Sequence, residues 1–184
     1  MVISITYYLV ASTNLITIGM SMIGYYLRLT ETELKDVLSN SLILEEKAFK
    51  QEGQTNIIDV DKTWEAIFFI LTGHGLAEID EVPAPLSWLL LSDHVIDEDQ
   101  DFGYGPAYYL KPAEVRQLKE ELNKVSTDDF KNRFNGVEMD RAGIYPEIWQ
   151  ENESLEYVID NFEQLKVFYD AAAADGYAMI TFVA

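Results

Sequence analysis

The stretch Met20-Ser21-Met22-Ile23-Gly24-Tyr25-Tyr26-Leu27-Arg28-Leu29 runs directly into Thr30-Glu31-Thr32-Glu33, and the junction sets the fold class. Ile23, Tyr25, Leu27 and Leu29 alternate with Gly24, Tyr26 and Arg28, the period of a strand with one buried face. Thr30 and Glu33 stand at capping-box spacing, so each side chain can satisfy a free amide at a helix start. Leu34, Val37 and Leu38 then supply a buried helical stripe. A strand feeding a capped helix implies a mixed α/β (α+β) domain.

Outward from this junction, helical patterns dominate. A short helix is expected around residues 42–49 and a loop over residues 51–56, which contain Gly53. Ile57 and Ile58 read as a short strand, with Asp59 or Asp61 placed to cap the next helix. There Trp64, Ile67, Phe68 and Leu71 fall at i, i+3, i+4 and i+7, and Phe69 and Ile70 widen the stripe nearly all round. Such a helix belongs at the centre of the core, against residues 177–183. Gly73 fits a left-handed stop behind it. Pro112 occupies a tolerated first-turn position ahead of Val115, Leu118 and Leu122. Ser126 is placed to cap a helix carrying Phe130 and Phe134. The last helix, from about Ser154 to Gly176, carries Val158, Ile159, Phe162, Leu165, Tyr169 and Ala172. Residues 177–183 form a continuous apolar run suited to a strand buried on both faces.

At 184 residues, 48% of them hydrophobic, the chain is long enough for one sizeable core and too short to require two. The 32 Asp and Glu outnumber the 13 Lys and Arg, giving a formal charge of -19. A field of that sign repels phosphate backbones and anionic lipid, which argues against nucleic-acid and membrane partners. It favours a basic protein partner, although the plainer reading is solubility. With no Cys, disulfides, thiolate metal sites and Cys nucleophiles are excluded. Only His74 and His94 are available for imidazole chemistry. Residues 1–19 are apolar-rich but lack a Lys or Arg, and polar residues from Ser4 to Asn14 interrupt the run. They match neither a signal peptide nor a membrane span. We expect a soluble cytoplasmic protein in which residues 20–184 form one domain, residues 1–19 are an extension outside it, and Met20, or alternatively Met22, is the native start.

Five segments, in order, resemble the bacterial YfbM-like family. They are Met20 to Tyr26; Ile58-Asp59-Val60-Asp61-Lys62-Thr63-Trp64 through Leu71-Thr72-Gly73; Gly103-Tyr104-Gly105-Pro106-Ala107; Ile144-Tyr145-Pro146 with Trp149; and Asn161-Phe162-Glu163-Gln164-Leu165-Lys166 with Phe168-Tyr169. The resemblance implies a single compact domain built on a small central sheet with helices packed around it. It carries no reaction and no catalytic residue.

Asp97, Asp99 and Asp101 have the 1, 3, 5 spacing of a calcium loop, but Phe102 replaces the turn glycine and Tyr108 the bidentate glutamate. A solvated acidic loop is the expectation, with no metal. Phe102-Gly103-Tyr104-Gly105-Pro106 lacks the spacing of a phosphate-binding loop, so no cofactor is called for. Its glycines suit tight backbone geometry or a ligand-facing loop carrying Tyr104. Asp59 and Asp61 form a carboxylate pair fit for acid–base work or for capping. Trp64, Tyr145 and Trp149 are candidates to line a pocket or to fill the core. His74, between Gly73 and Gly75, is a candidate general base.

Two functions fit this inventory. One is a non-enzymatic module that binds a basic protein, in the manner of an immunity protein or antitoxin. The other is a small-molecule binder or enzyme whose pocket gathers Asp59, Asp61, Trp64, His74, Tyr104, Tyr145 and Trp149. A deep pocket lined by those residues would favour the second.

Overall fold

The computed structural model describes residues 21–49 and 55–184. The expectations for residues 1–19 and for residues 51–54 of the loop lie outside this range. The described chain begins with strand β1 (Gly24–Leu29), followed by helices α1 (Glu31–Ser39) and α2 (Ile43–Phe49), strand β2 (Ile57–Asp59) and helix α3 (Trp64–Thr72). Two 3₁₀ segments, Leu76–Glu81 and Leu86–Leu89, lead to strand β3 (Tyr108–Leu110) and helix α4 (Pro112–Leu122). Helices α5 (Thr127–Arg133), α6 (Gly136–Arg141) and α7 (Ser154–Asp175) precede strand β4 (Ala178–Val183).

The sheet is antiparallel throughout, in the order β2-β1-β4-β3. Its central register pairs Tyr26 with Thr181 and Leu27 with Ile180. Backbone bonds between Ile23 and Ala184, at 2.8 and 3.0 Å, extend this ladder one step. Helices cover the sheet to give a single helix-rich α+β domain, as the patterning and the family resemblance implied.

The sheet separates two apolar layers. Tyr26 and Met179 face the main core, built with α3, α4, α5 and α7. Leu27, Leu29, Ala178, Ile180 and Phe182 face a smaller core with Leu34 and Val37 of α1 and Leu44 and Ala48 of α2. The expectation that β1 buries one face is therefore corrected, since Tyr26 on the second face is 1% exposed. The tyrosine reads as amphipathic in sequence, but its ring packs edge-on against Tyr169 and its hydroxyl donates to the Leu89 carbonyl at 3.2 Å. Leu38, expected in the α1 stripe, is 42% exposed. The buried residues of α1 are Leu34 and Val37.

Helix α3 is the central buried helix, with Trp64, Ile67, Phe68 and Leu71 all inside. It meets chiefly α5, α7 and the Leu86–Leu89 turn. It does not lie mainly along β4, from whose buried residues only Met179 joins the same cluster. Thr30 and Glu33 form the expected capping box, as Ser126 and Asp129 do at α5. Neither Asp59 nor Asp61 caps α3, because a 3₁₀ turn over Asp61–Thr63 intervenes and Thr63 precedes the helix without a side-chain cap bond. Asp59 instead accepts the Asp61 amide at 3.2 Å. Gly73 and Gly176 close α3 and α7 at φ of 79° and 70°, a region where glycine carries no Cβ penalty. Among the described residues no helix is long and apolar enough to cross a membrane.

Candidate functional site

Where the sheet meets α3, six separate pieces of chain enclose a small slot of about 60 Å³. Gly24 and Tyr26 come from β1, and Trp64 from the first turn of α3. Leu76 opens the first 3₁₀ segment, and Leu90 and Leu91 follow the second. Tyr104 and Pro106 come from the glycine loop with Tyr108 behind them, and Thr181, Phe182 and Val183 from β4. The slot forms because β1 carries no side chain at Gly24, which lets Trp64 lie directly against the strand. A Cβ at Gly24 would sit 2.6 Å from that of Trp64. The indole is fixed on its other sides: Nε1 donates to the Met22 carbonyl at 3.1 Å, and Tyr145 stacks on it at 6.0 Å. Burial pushes the Tyr26 phenol far above its ordinary range, so this hydroxyl is a neutral donor.

The outer wall is built by the acidic loop, which is folded rather than merely solvated. Asp101 Oδ1 accepts the amides of Gly103 and Gly105 at 2.7 and 2.9 Å, and both glycines have positive φ. These bonds, that from Gly105 first, hold the Asp101 carboxyl below its ordinary value. Asp97 accepts the Ser41 hydroxyl at 2.6 Å and the Asp99 amide at 3.0 Å. Asp97 and Asp101 thus brace the loop that presents Tyr104. Among the described residues no group of three Asp, Glu or His side chains is arranged to hold a metal.

The slot opens beside a wider groove that shares Leu91 and Tyr108 with it. Asp80, Asp93, Ser87, Ser92 and Trp88 line this groove. Among the described residues no Lys, Arg or His lines either part.

A family model described as "Domain of unknown function (DUF1877)" matches residues 20–182. The chain belongs to the DUF1877 family. Among solved structures, the crystal structure of YfbM from Escherichia coli, described as a protein of unknown function, is similar over 89% of this chain and 100% of that one. Its TM-score is 0.66 at 20% identity, which is a likeness of fold. It agrees with the YfbM-like resemblance. No curated protein matches the chain.

In this DUF1877 domain the seven residues singled out from sequence do not converge. Trp64 and Tyr104 share the slot, and Tyr145 backs Trp64 from outside. Tyr145 is itself tied in place: its hydroxyl accepts the Met22 amide at 3.0 Å and its amide donates to Glu65 at 2.9 Å. Asp59 and Asp61 lie at the seam with α7. There Tyr157 donates its hydroxyl to Asp61 at 2.7 Å, and Gln164 donates to the Asp59 carbonyl at 2.7 Å. Burial, and then the bond to Asp61, push the Tyr157 phenol well above its ordinary range. His74 sits beyond α3, its Nδ1 3.5 Å from Glu78. Trp149 is core, 1% exposed, with its Nε1 donating to the Ile144 carbonyl at 2.8 Å.

Sequence reasoning missed Gly24, Leu76, Leu90, Leu91 and Tyr108 as slot residues. A glycine inside a strand pattern was the one available signal, since it often marks a close approach. The pairing of His94 Nε2 with Glu114 Oε1 at 2.9 Å, with His94 stacked on Tyr109, was also missed. Nothing in linear spacing marks that pair.

Proposed function

We propose that this DUF1877 domain is a non-enzymatic binding module that meets a basic protein surface, in the manner of a small acidic immunity protein or antitoxin. The observation that carries the reading is the slot with its adjoining groove: apolar walls, two carboxylates and, among the described residues, no cation along the lining. It agrees in sign with the whole-chain charge of -19. Three groups that could serve catalysis are instead tied into the frame, His94 with Glu114, Asp61 with Tyr157, and Asp101 with its own loop. The reading needs no metal and no cofactor, and the charge disfavours nucleic acid and anionic membranes as partners.

The competing reading, a small-molecule binder or enzyme, draws on Trp64 and Tyr104 sharing the slot. Against it weighs the slot's size, about 60 Å³ where pockets that enclose a drug-sized ligand usually measure about 300–1,000 Å³, while the larger adjoining groove, about 420 Å³, carries Asp80, Asp93, Ser87 and Ser92. Affinity capture from native lysate on the immobilised full chain, at low and at high salt, tests the proposal. Basic proteins should be retained at low salt and released at high salt, since screening weakens exposed charge pairs. Retention of neutral or acidic proteins, unaffected by salt, would count against it.

A further inference from the structure

We infer that the slot receives one aromatic or large aliphatic side chain from a partner polypeptide, and that Lys or Arg residues flanking that side chain lie along the Asp80–Asp93 groove. The inference rests on the reading of the domain as a binding module and names the anchor that reading leaves open.

Size, lining and charge each narrow the occupant. A volume of about 60 Å³ admits the end of one side chain, with the remainder lying over the mouth, and not a folded element. Trp64, Leu90 and Leu91 wall it with apolar surface, and Leu76 and Tyr104 stand at the mouth with 37% and 42% of their surface exposed. Two exposed large apolar residues at the rim of an apolar recess are the arrangement expected at a contact surface. Leu91 and Tyr108 belong to both slot and groove, so a chain whose anchor fills the slot passes directly over Asp80 and Asp93.

The charge pattern separates this surface from the others. Three other grooves each contain a cation: Arg116 and Lys119 between α4 and α7, Arg28 beside β2 and α7, and Lys35 and Lys111 near α1. Here, among the described residues, the carboxylates have no Lys or Arg beside them along the lining. A basic segment would supply the missing charges, whereas a second copy of this chain would bring another -19.

The test uses the full chain and short fluorescein-labelled peptides with Lys on both sides of a central Phe, compared with the same peptides carrying Ala. Anisotropy titrations at low salt should show the Phe peptide binding on the order of tenfold or more tighter than the Ala peptide, as burial of one large apolar side chain implies. Leu76→Ser should remove that difference between the two peptides. Asp80→Asn combined with Asp93→Asn should weaken both peptides and flatten their salt dependence. Circular dichroism confirms that the variants stay folded.

Equal binding of the Phe and Ala peptides overturns the slot inference and leaves the basic-partner reading standing. Absence of binding by either peptide at low salt overturns both. Phenethylammonium binding as tightly as the Phe peptide assigns the slot to a small molecule and overturns the inference. Sedimentation of a dimer that Leu76→Ser dissociates assigns it to a second copy, with the same result.

Discussion

Trp64 rests against Gly24 so closely that an added methyl group on the strand would lie 2.6 Å from the Trp64 Cβ and 3.1 Å from its Cγ. The first turn of α3 is itself fixed, with Thr63 donating to the Val60 carbonyl and Trp64 Nε1 to that of Met22. The clash could therefore be relieved only by moving helix and strand apart.

Gly24→Ala is accordingly expected to cost about 1–3 kcal/mol, the usual range for an overpacked interior. Urea denaturation measures this, and Trp fluorescence reports the displaced indole. An unchanged midpoint would mean that β1 and α3 tolerate separation.

Phe68→Ala should cost about 3–5 kcal/mol, a large share of the stability of an ordinary domain. Phe68 is fully enclosed in the main core. Leu38→Ala on the exposed side of α1 makes the control, with an expected change within about 0.5 kcal/mol. If thermal melting ranks the two variants the other way, the assignment of the core is wrong.

The acidic loop should respond unevenly. Asp101 holds two amides, whereas Asp99 gives its own amide to Asp97. Asp101→Ala should accelerate amide hydrogen exchange at Gly103 and Gly105, and Asp99→Asn should leave both rates alone. Equal acceleration in the two variants would remove Asp101 from its bracing role.

Acid should weaken the His94–Glu114 junction. Burial raises the Glu114 carboxyl, but the Lys111 amide and His94 outweigh it, so the group lies below its ordinary value of 4.5. A carboxyl lowered in the folded state contributes stability that is complete above 4.5 and is lost as pH falls through the lowered value. Glu114→Gln should therefore shrink the fall in melting temperature between about pH 5 and about pH 3. Parallel profiles for variant and parent would show that the pair contributes no proton linkage.

Duplex DNA and RNA should show no saturable binding at about 0.15 M salt, where the Debye length of about 8 Å still leaves repulsion at contact. A saturable anisotropy titration in the micromolar range would contradict the electrostatic reading.

Much of the architecture was legible because local signals agreed with one another. The Thr30–Glu33 box, the Trp64–Leu71 stripe, the glycine stops and the apolar run of β4 each report on their own neighbourhood, and each found its element. The misread features depend on what lies across space. Tyr26 looked solvent-facing until α7 brought Tyr169 to it, and Asp59 and Asp61 looked like caps until a 3₁₀ turn displaced them from α3. Helix α6, with only Met139 buried, is too short to leave a periodic trace. The slot was the least legible part, because Gly24, Trp64, Leu76, Tyr104 and Phe182 occupy distant positions that only the completed sheet brings together.

The pairing of residues 24–29 with residues 178–183 at the middle of the sheet also governs how the fold must assemble. The flanking strands have three residues each and cannot persist as isolated ribbons. Helices such as α4 and α7 can form early from local contacts, but the sheet closes only when the chain spans its largest loop. Such high contact order makes folding slower than the helix content alone would suggest. No contiguous fragment lacking either central strand can keep the two apolar layers apart.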